Sequence, residues 1–186
     1  MNDLGTQNID WLEGPNELDG ILNWYSDYNN AIWFANFWSN LADIMNDNGY
    51  HPLVASIAVG NPALNNEIAQ GVKSTMCPLA DVMKSKSYPI AWGYHGYTKD
   101  LTKDVNTELW LSLRYRWIRD QCGLQGFKII ISEGGKDIAS WIESGISASS
   151  YLDWLKWYDQ QIQSDNEVVG VTLFQIGGGT TDWQNF

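Results

Sequence analysis

The chain has 186 residues, 11 Lys and Arg against 22 Asp and Glu, and a formal charge of −11. With 44% hydrophobic residues it is expected to fold as one domain that buries roughly 70% of its unfolded surface, not to remain a disordered coil. The charge repels phosphate backbones and anionic lipid, and no apolar run approaches the ~20 residues that cross a bilayer, so neither nucleic acid nor a membrane is an expected partner.

Taken in order, the first apolar run is Asn8 to Leu12, a predicted strand that leads into Glu13-Gly14-Pro15-Asn16-Glu17. A carboxylate at the mouth of a buried strand is unfavourable unless it is paired or hydrogen-bonded, which makes Glu17 the first candidate functional residue. Trp24, Tyr25, Tyr28 and Trp33 follow among polar residues. Flat aromatic faces near a carboxylate suit sugar rings, whose C–H faces are apolar, although the same residues also suit core packing. Phe34, Phe37, Trp38, Leu41 and Met45 recur at helical spacing up to a stop at Gly49. Leu53 to Val59 reads as the second strand, 61–72 as a partly helical connection, and Ser74 to Lys84 as a helix opened by Pro78.

The third strand is expected over Tyr88 to Tyr94. A helix over Thr107 to Gln121 places Leu109, Trp110, Leu113 and Trp117 on one side and ends at Gly123. Phe127 to Ser132 is the fourth strand, Ser149 to Gln163 a helix with Leu152, Leu155 and Ile162 on one face, and Val168 to Ile176 the fifth strand. Each strand run carries few charges, as expected of parallel strands buried on both faces. Strands alternating with helices mean parallel βαβ units with right-handed crossovers. The predicted fold class is therefore α/β, a parallel (β/α) barrel-type architecture of five βα units. A closed barrel of eight such units needs ~250 residues, so this one is partial.

In such sheets the site lies at the carboxyl ends of the strands. The first strand delivers Asn16 and Glu17, the third Trp92, His95 and Tyr97, the fourth Glu133, and the fifth Gln175, with Trp183 following. Two carboxylates flanked by His, Tyr and Trp fit cleavage of a glycosidic bond, in which one carboxyl protonates the leaving oxygen and the other attacks the anomeric carbon. Asn16 is suited to a sugar hydroxyl beside the reacting carbon. Tyr97 or His95, by donating a hydrogen bond, is expected to hold Glu133 ionised, which leaves Glu17 as the proton carrier.

These residues together resemble the clan A glycoside hydrolases, retaining (β/α)8-barrel enzymes. Asn-Glu at a strand end, His-x-Tyr, Glu after an Ile-rich strand, then an aromatic strand and a late Trp resemble their strands four to eight. The resemblance implies Glu17 as acid/base with Asn16 as its partner, Glu133 as nucleophile, and His95 and Tyr97 on strand six, acting on β-linked oligo- or polysaccharide. Trp24, Trp92, Gln175 and Trp183 complete the expected substrate contacts. Strands one to three of the pattern are missing, together with the Arg and His they bring, and Gln175 stands where the strand-eight Trp is expected. Five strands leave two open edges, which invite a second copy or a partner chain to complete the barrel.

Plainer readings stand beside these. Glu17 is also placed to cap the segment that follows, Glu133 to be a solvated strand-end carboxylate, and His95 a satisfied core histidine. A non-catalytic carbohydrate-binding or self-associating truncated barrel is the alternative to an enzyme. His51 reads as structural. Gly177-Gly178-Gly179 lacks phosphate-loop spacing and Gly-x-Ser-x-Gly is missing, which argues against nucleotide binding and serine hydrolysis. His51 and His95 lie far apart and neither is near a cysteine, so no metal or other cofactor is expected. Cys77 and Cys122 are read as two buried free thiols. No basic segment followed by an apolar stretch opens the chain, so the protein is expected inside the cell, or outside it after loss of an export segment.

Overall fold

The computed structural model describes residues 9–20, 28–61, 76–137, 141 and 144–174. Five strands form one sheet: β1 (Trp11–Glu13), β2 (His51–Ile57), β3 (Ala91–Thr98), β4 (Lys128–Lys136) and β5 (Val168–Val171). All neighbours are parallel and the spatial order equals the chain order. Because every crossover steps in the same direction, the sheet winds one way and curls into a half-barrel, an α/β parallel partial barrel. A doubly wound sheet would instead reverse its order partway.

The helices among the described residues are α1 (Tyr28–Asp47), α2 (Cys77–Ser85), α3 (Val105–Glu108), α4 (Tyr115–Cys122) and α5 (Ala148–Gln163). They cover one face of the sheet. Phe34 and Trp38 of α1, Leu79 and Met83 of α2, Ile118 of α4, and Trp154 and Tyr158 of α5 form a single core with Trp92, Tyr94, Ile129 and Ile131. Gly14, just after β1, is required here. A Cβ at that position would lie 2.3 Å from the Trp38 ring, so only glycine lets α1 pack so closely. At the end of α4, Gly123 adopts the left-handed conformation (φ 67°), the stop read from the sequence.

Three expectations change. The helix expected over Thr107 to Gln121 is two helices, because the Glu108 side chain takes the Ser112 N–H (3.3 Å) and the Leu113 N–H reaches back to the Glu108 carbonyl (2.8 Å). A side chain that binds a backbone donor in this way breaks the regular ladder. The edge strands are also not buried on both faces: Val169 of β5 is 51% exposed, since nothing pairs with β1 or β5 on their outer sides among the described residues. Finally, the cysteines are not free thiols. Cys77 and Cys122 form a disulfide that ties α2 to α4, with a sequence separation of 45. Spacing along the chain does not show that successive crossover helices stand side by side, and that adjacency is what brings the two sulfurs together.

Candidate active site

The site-bearing face is opposite the helices. On β3, Trp92 and Tyr94 point into the core, so period-two alternation sends Gly93, His95 and Tyr97 to the concave face. On β4 the same rule would place Glu133 with Ile129 and Ile131, against the helices. It does not, because the register shifts: Tyr94 pairs with Ile131 but His95 pairs with Glu133. Ser132 is the extra residue of a bulge, and a bulge reverses the facing of everything beyond it. Glu133 thereby joins His95 and Tyr97. β4 also runs through to Lys136, so Glu133 lies within the strand and not after it.

His95 is fully buried. Its Nδ1 lies 2.7 Å from Glu17 Oε1 and 3.4 Å from Glu133 Oε2, while Nε2 is buried with no hydrogen-bond partner among the described residues. The Tyr97 hydroxyl donates to Glu133 Oε2 at 2.8 Å. Burial and this bond to a carboxylate push the Tyr97 hydroxyl far above its ordinary pKa, so it remains a donor throughout the physiological range. The Glu17 side chain is 40% exposed and that of Glu133 24%, so both carboxylates open to solvent on one side. One ligand-type atom from each of Glu17, His95 and Glu133 lies within 4.8 Å of the others. That set of two carboxylates and one imidazole is also able to hold a divalent cation.

Two loops aim Glu17. Its backbone is left-handed (φ 48°), as are those of Ala55 (84°) and Ser56 (44°) at the bulge of β2. Non-glycine residues reach that region only when their surroundings force them. The Glu17 N–H donates to the Ser56 carbonyl at 3.3 Å. Asp19, 4% exposed, accepts from the Ala58 N–H (3.3 Å) and the Asn61 side chain (2.7 Å), which fastens the β1 loop to the β2 loop. Burial raises the Asp19 pKa, and its two donors and the neighbouring Glu17 charge modify that shift.

The expected residues are not all brought together. Glu17, His95, Tyr97 and Glu133 converge, whereas Asn16 is exposed beside them with no side-chain contact recorded among the described residues. Trp92 is corrected: at 1% exposure within the helix-side core it offers no face to a ligand. Trp24, Gln175 and Trp183 lie outside the described residues. Sequence reasoning missed Glu13, Ser56, Ser132 and Asp19. The one available signal was Glu13 itself, a second carboxylate closing the same short strand that delivers Glu17.

No protein-family model, curated protein or solved structure matches this chain.

Proposed function

We propose that the protein is a retaining glycoside hydrolase acting on β-linked oligo- or polysaccharide by double displacement. The observation that carries the reading is the pair Glu17 and Glu133, delivered by different strands to one face with their nearest atoms within 4.8 Å. Retaining enzymes hold the two carboxyl groups ~5–5.5 Å apart and inverting ones ~6.5–9.5 Å.

Glu133 accepts the Tyr97 hydroxyl at 2.8 Å, while the His95 ring nitrogen lies closer to Glu17 (2.7 Å) than to Glu133 (3.4 Å); with the Tyr97 hydroxyl holding it, Glu133 is the nucleophile. Its oxygen bonds to the anomeric carbon while the glycosidic C–O bond breaks. Glu17 gives its proton to the departing oxygen, then removes one from the water that displaces Glu133. His95 bridges both groups and keeps them in register through the two steps. The open half-barrel leaves room for an extended ligand along the concave face, and its two edges, unpaired among the described residues, suit association with a second chain.

The test assays Glu17→Gln and Glu133→Gln proteins on aryl β-glycosides and follows the anomeric configuration of the first product by NMR. Loss of activity on the order of 10³-fold in Glu133→Gln, with retention in the wild type, is expected. Full activity in Glu133→Gln removes the reading. Calorimetric sugar binding without turnover favours a non-catalytic module instead, and activity abolished by a chelator and restored by a divalent cation favours a metal centre at the same three residues.

A further inference from the structure

A second polar cluster adjoins the pair and centres on Glu13, an exposed residue. Glu13 Oε1, at the end of β1, accepts the Ser56 hydroxyl of β2 and the Ser132 hydroxyl of β4, each at 2.6 Å. The second bond joins residues 119 apart in sequence and passes over β3. It can do so because β3 presents Gly93 on that face: a Cβ there would stand 2.9 Å from Ser56 Oγ and 3.0 Å from the Ser56 nitrogen. Both serines are attached to the site. The Ser56 carbonyl accepts the Glu17 N–H, and Ser132 is the bulge residue that turns its neighbour Glu133 to the concave face.

We propose that Glu13 is a positioning residue that sets the spacing of Glu17 and Glu133. It holds the bulge of β2, whose Ser56 carbonyl takes the Glu17 N–H, and the bulge before Glu133 to one oxygen atom. The catalytic consequence rests on the glycosidase reading; the geometric one does not. Ser56, which adopts a left-handed backbone (φ 44°) with no exposed surface, is kept in that conformation by bonds from both its hydroxyl and its carbonyl.

Two readouts test this on the intact chain. In Glu13→Ala, kcat on an aryl glycoside is expected to fall on the order of 10²-fold with KM nearly unchanged, since a small misplacement of reacting groups costs that much. Glu13→Gln keeps an oxygen able to accept both hydroxyls and is expected to recover most of the rate. Adding Ser132→Ala to Glu13→Ala is expected to cost nothing further, because both act through one bond network. The second readout needs no activity. The chain has only two histidines, so the His95 ring nitrogen resonances are assignable by NMR. The Nδ1 signal is expected to shift in Glu13→Ala and in the milder Ser132→Ala, and to stay at its wild-type position in Glu13→Gln. Wild-type kcat in Glu13→Ala, an unmoved His95 signal, or a glutamine variant as impaired as the alanine one overturns the proposal. Failure of the glycosidase reading alone shows instead as full activity in Glu133→Gln or no turnover in the wild type, with the His95 signal still moved in Glu13→Ala.

Discussion

Glu108 and the pair Glu17 and Glu133 are all glutamates held against the same sheet, yet their surroundings differ in kind. Glu108 has no exposed surface, and each of its oxygens is supplied: Oε1 by the hydroxyls of Thr98 (2.7 Å) and Thr102 (2.6 Å), Oε2 by the hydroxyl (2.6 Å) and N–H (3.3 Å) of Ser112. That carboxylate is saturated and closed, a clamp between the end of β3 and the α3–α4 turn. On the other face, two carboxylates share a single imidazole nitrogen and keep a side open to solvent. A saturated carboxylate has no lone pair left to offer a ligand; one that is partly supplied and open to solvent keeps lone pairs free for one.

Exchanging one carboxylate for its amide breaks the comparison most directly. Glu133→Gln is expected to cost on the order of 10³-fold in turnover while thermal stability stays within about 1 kcal/mol, because a partly exposed group loses little on neutralisation. Glu108→Ala should do the reverse. Three hydroxyls and an N–H lose their acceptor in a buried site, so a loss of about 3 kcal/mol in urea unfolding is expected, with the turnover of the remaining folded protein close to wild type. A Glu108→Ala protein that is stable but inactive would move Glu108 into the site and end the contrast.

The disulfide lies on the Glu108 side of that division. Cys77 and Cys122 close a loop over a separation of 45 residues, for which the loss of chain entropy in the unfolded state predicts about 4 kcal/mol. The Cys77→Ser, Cys122→Ser double variant is expected to unfold at correspondingly lower denaturant, and a reductant should have the same effect on the wild type. Since both helices stand behind the sheet, the activity of the folded fraction should not change.

Reading the sequence reached the architecture because its signals are periodic: β-rich runs with few charges alternate with helical spacing, and that alternation implies parallel crossovers. It pointed to Glu17, His95, Tyr97 and Glu133, which lie together, because they follow the ends of the predicted strands of one parallel sheet. What it did not reach depends on single-residue events. The bulge at Ser132 decides which face Glu133 takes, and strict alternation from Ile129 and Ile131 would have buried it against the helices. Trp92 is aromatic and close to His95 along the chain, but its parity sends it to the core. The glutamate belt over Gly93 and the disulfide both join residues far apart in sequence, and no local pattern announces them.

The smallest effect separates two aspartates by the sign of their dependence on pH. Burial pushes the Asp165 carboxyl up, but the Tyr115 hydroxyl (2.6 Å), Arg119 (2.8 Å) and Arg116 (2.8 Å) together outweigh it and hold it below its ordinary value of 3.8. Its contribution is therefore complete above that value and fades as pH falls through the depressed pKa of the folded state. Asp19 runs the other way. Burial is the largest influence on it and leaves its pKa raised above 3.8, so its contribution is complete below 3.8 and fades as pH rises through the folded value. In urea titrations at a series of acid pH values, Asp165→Asn should flatten the loss of stability at the acid end, and Asp19→Asn should flatten the opposing slope at higher pH. The helix-side carboxylate, rich in donors, and the site-side one, dominated by burial, would then differ in titration as they do in geometry; equal slopes in the two variants would mean that donor supply does not distinguish the two faces.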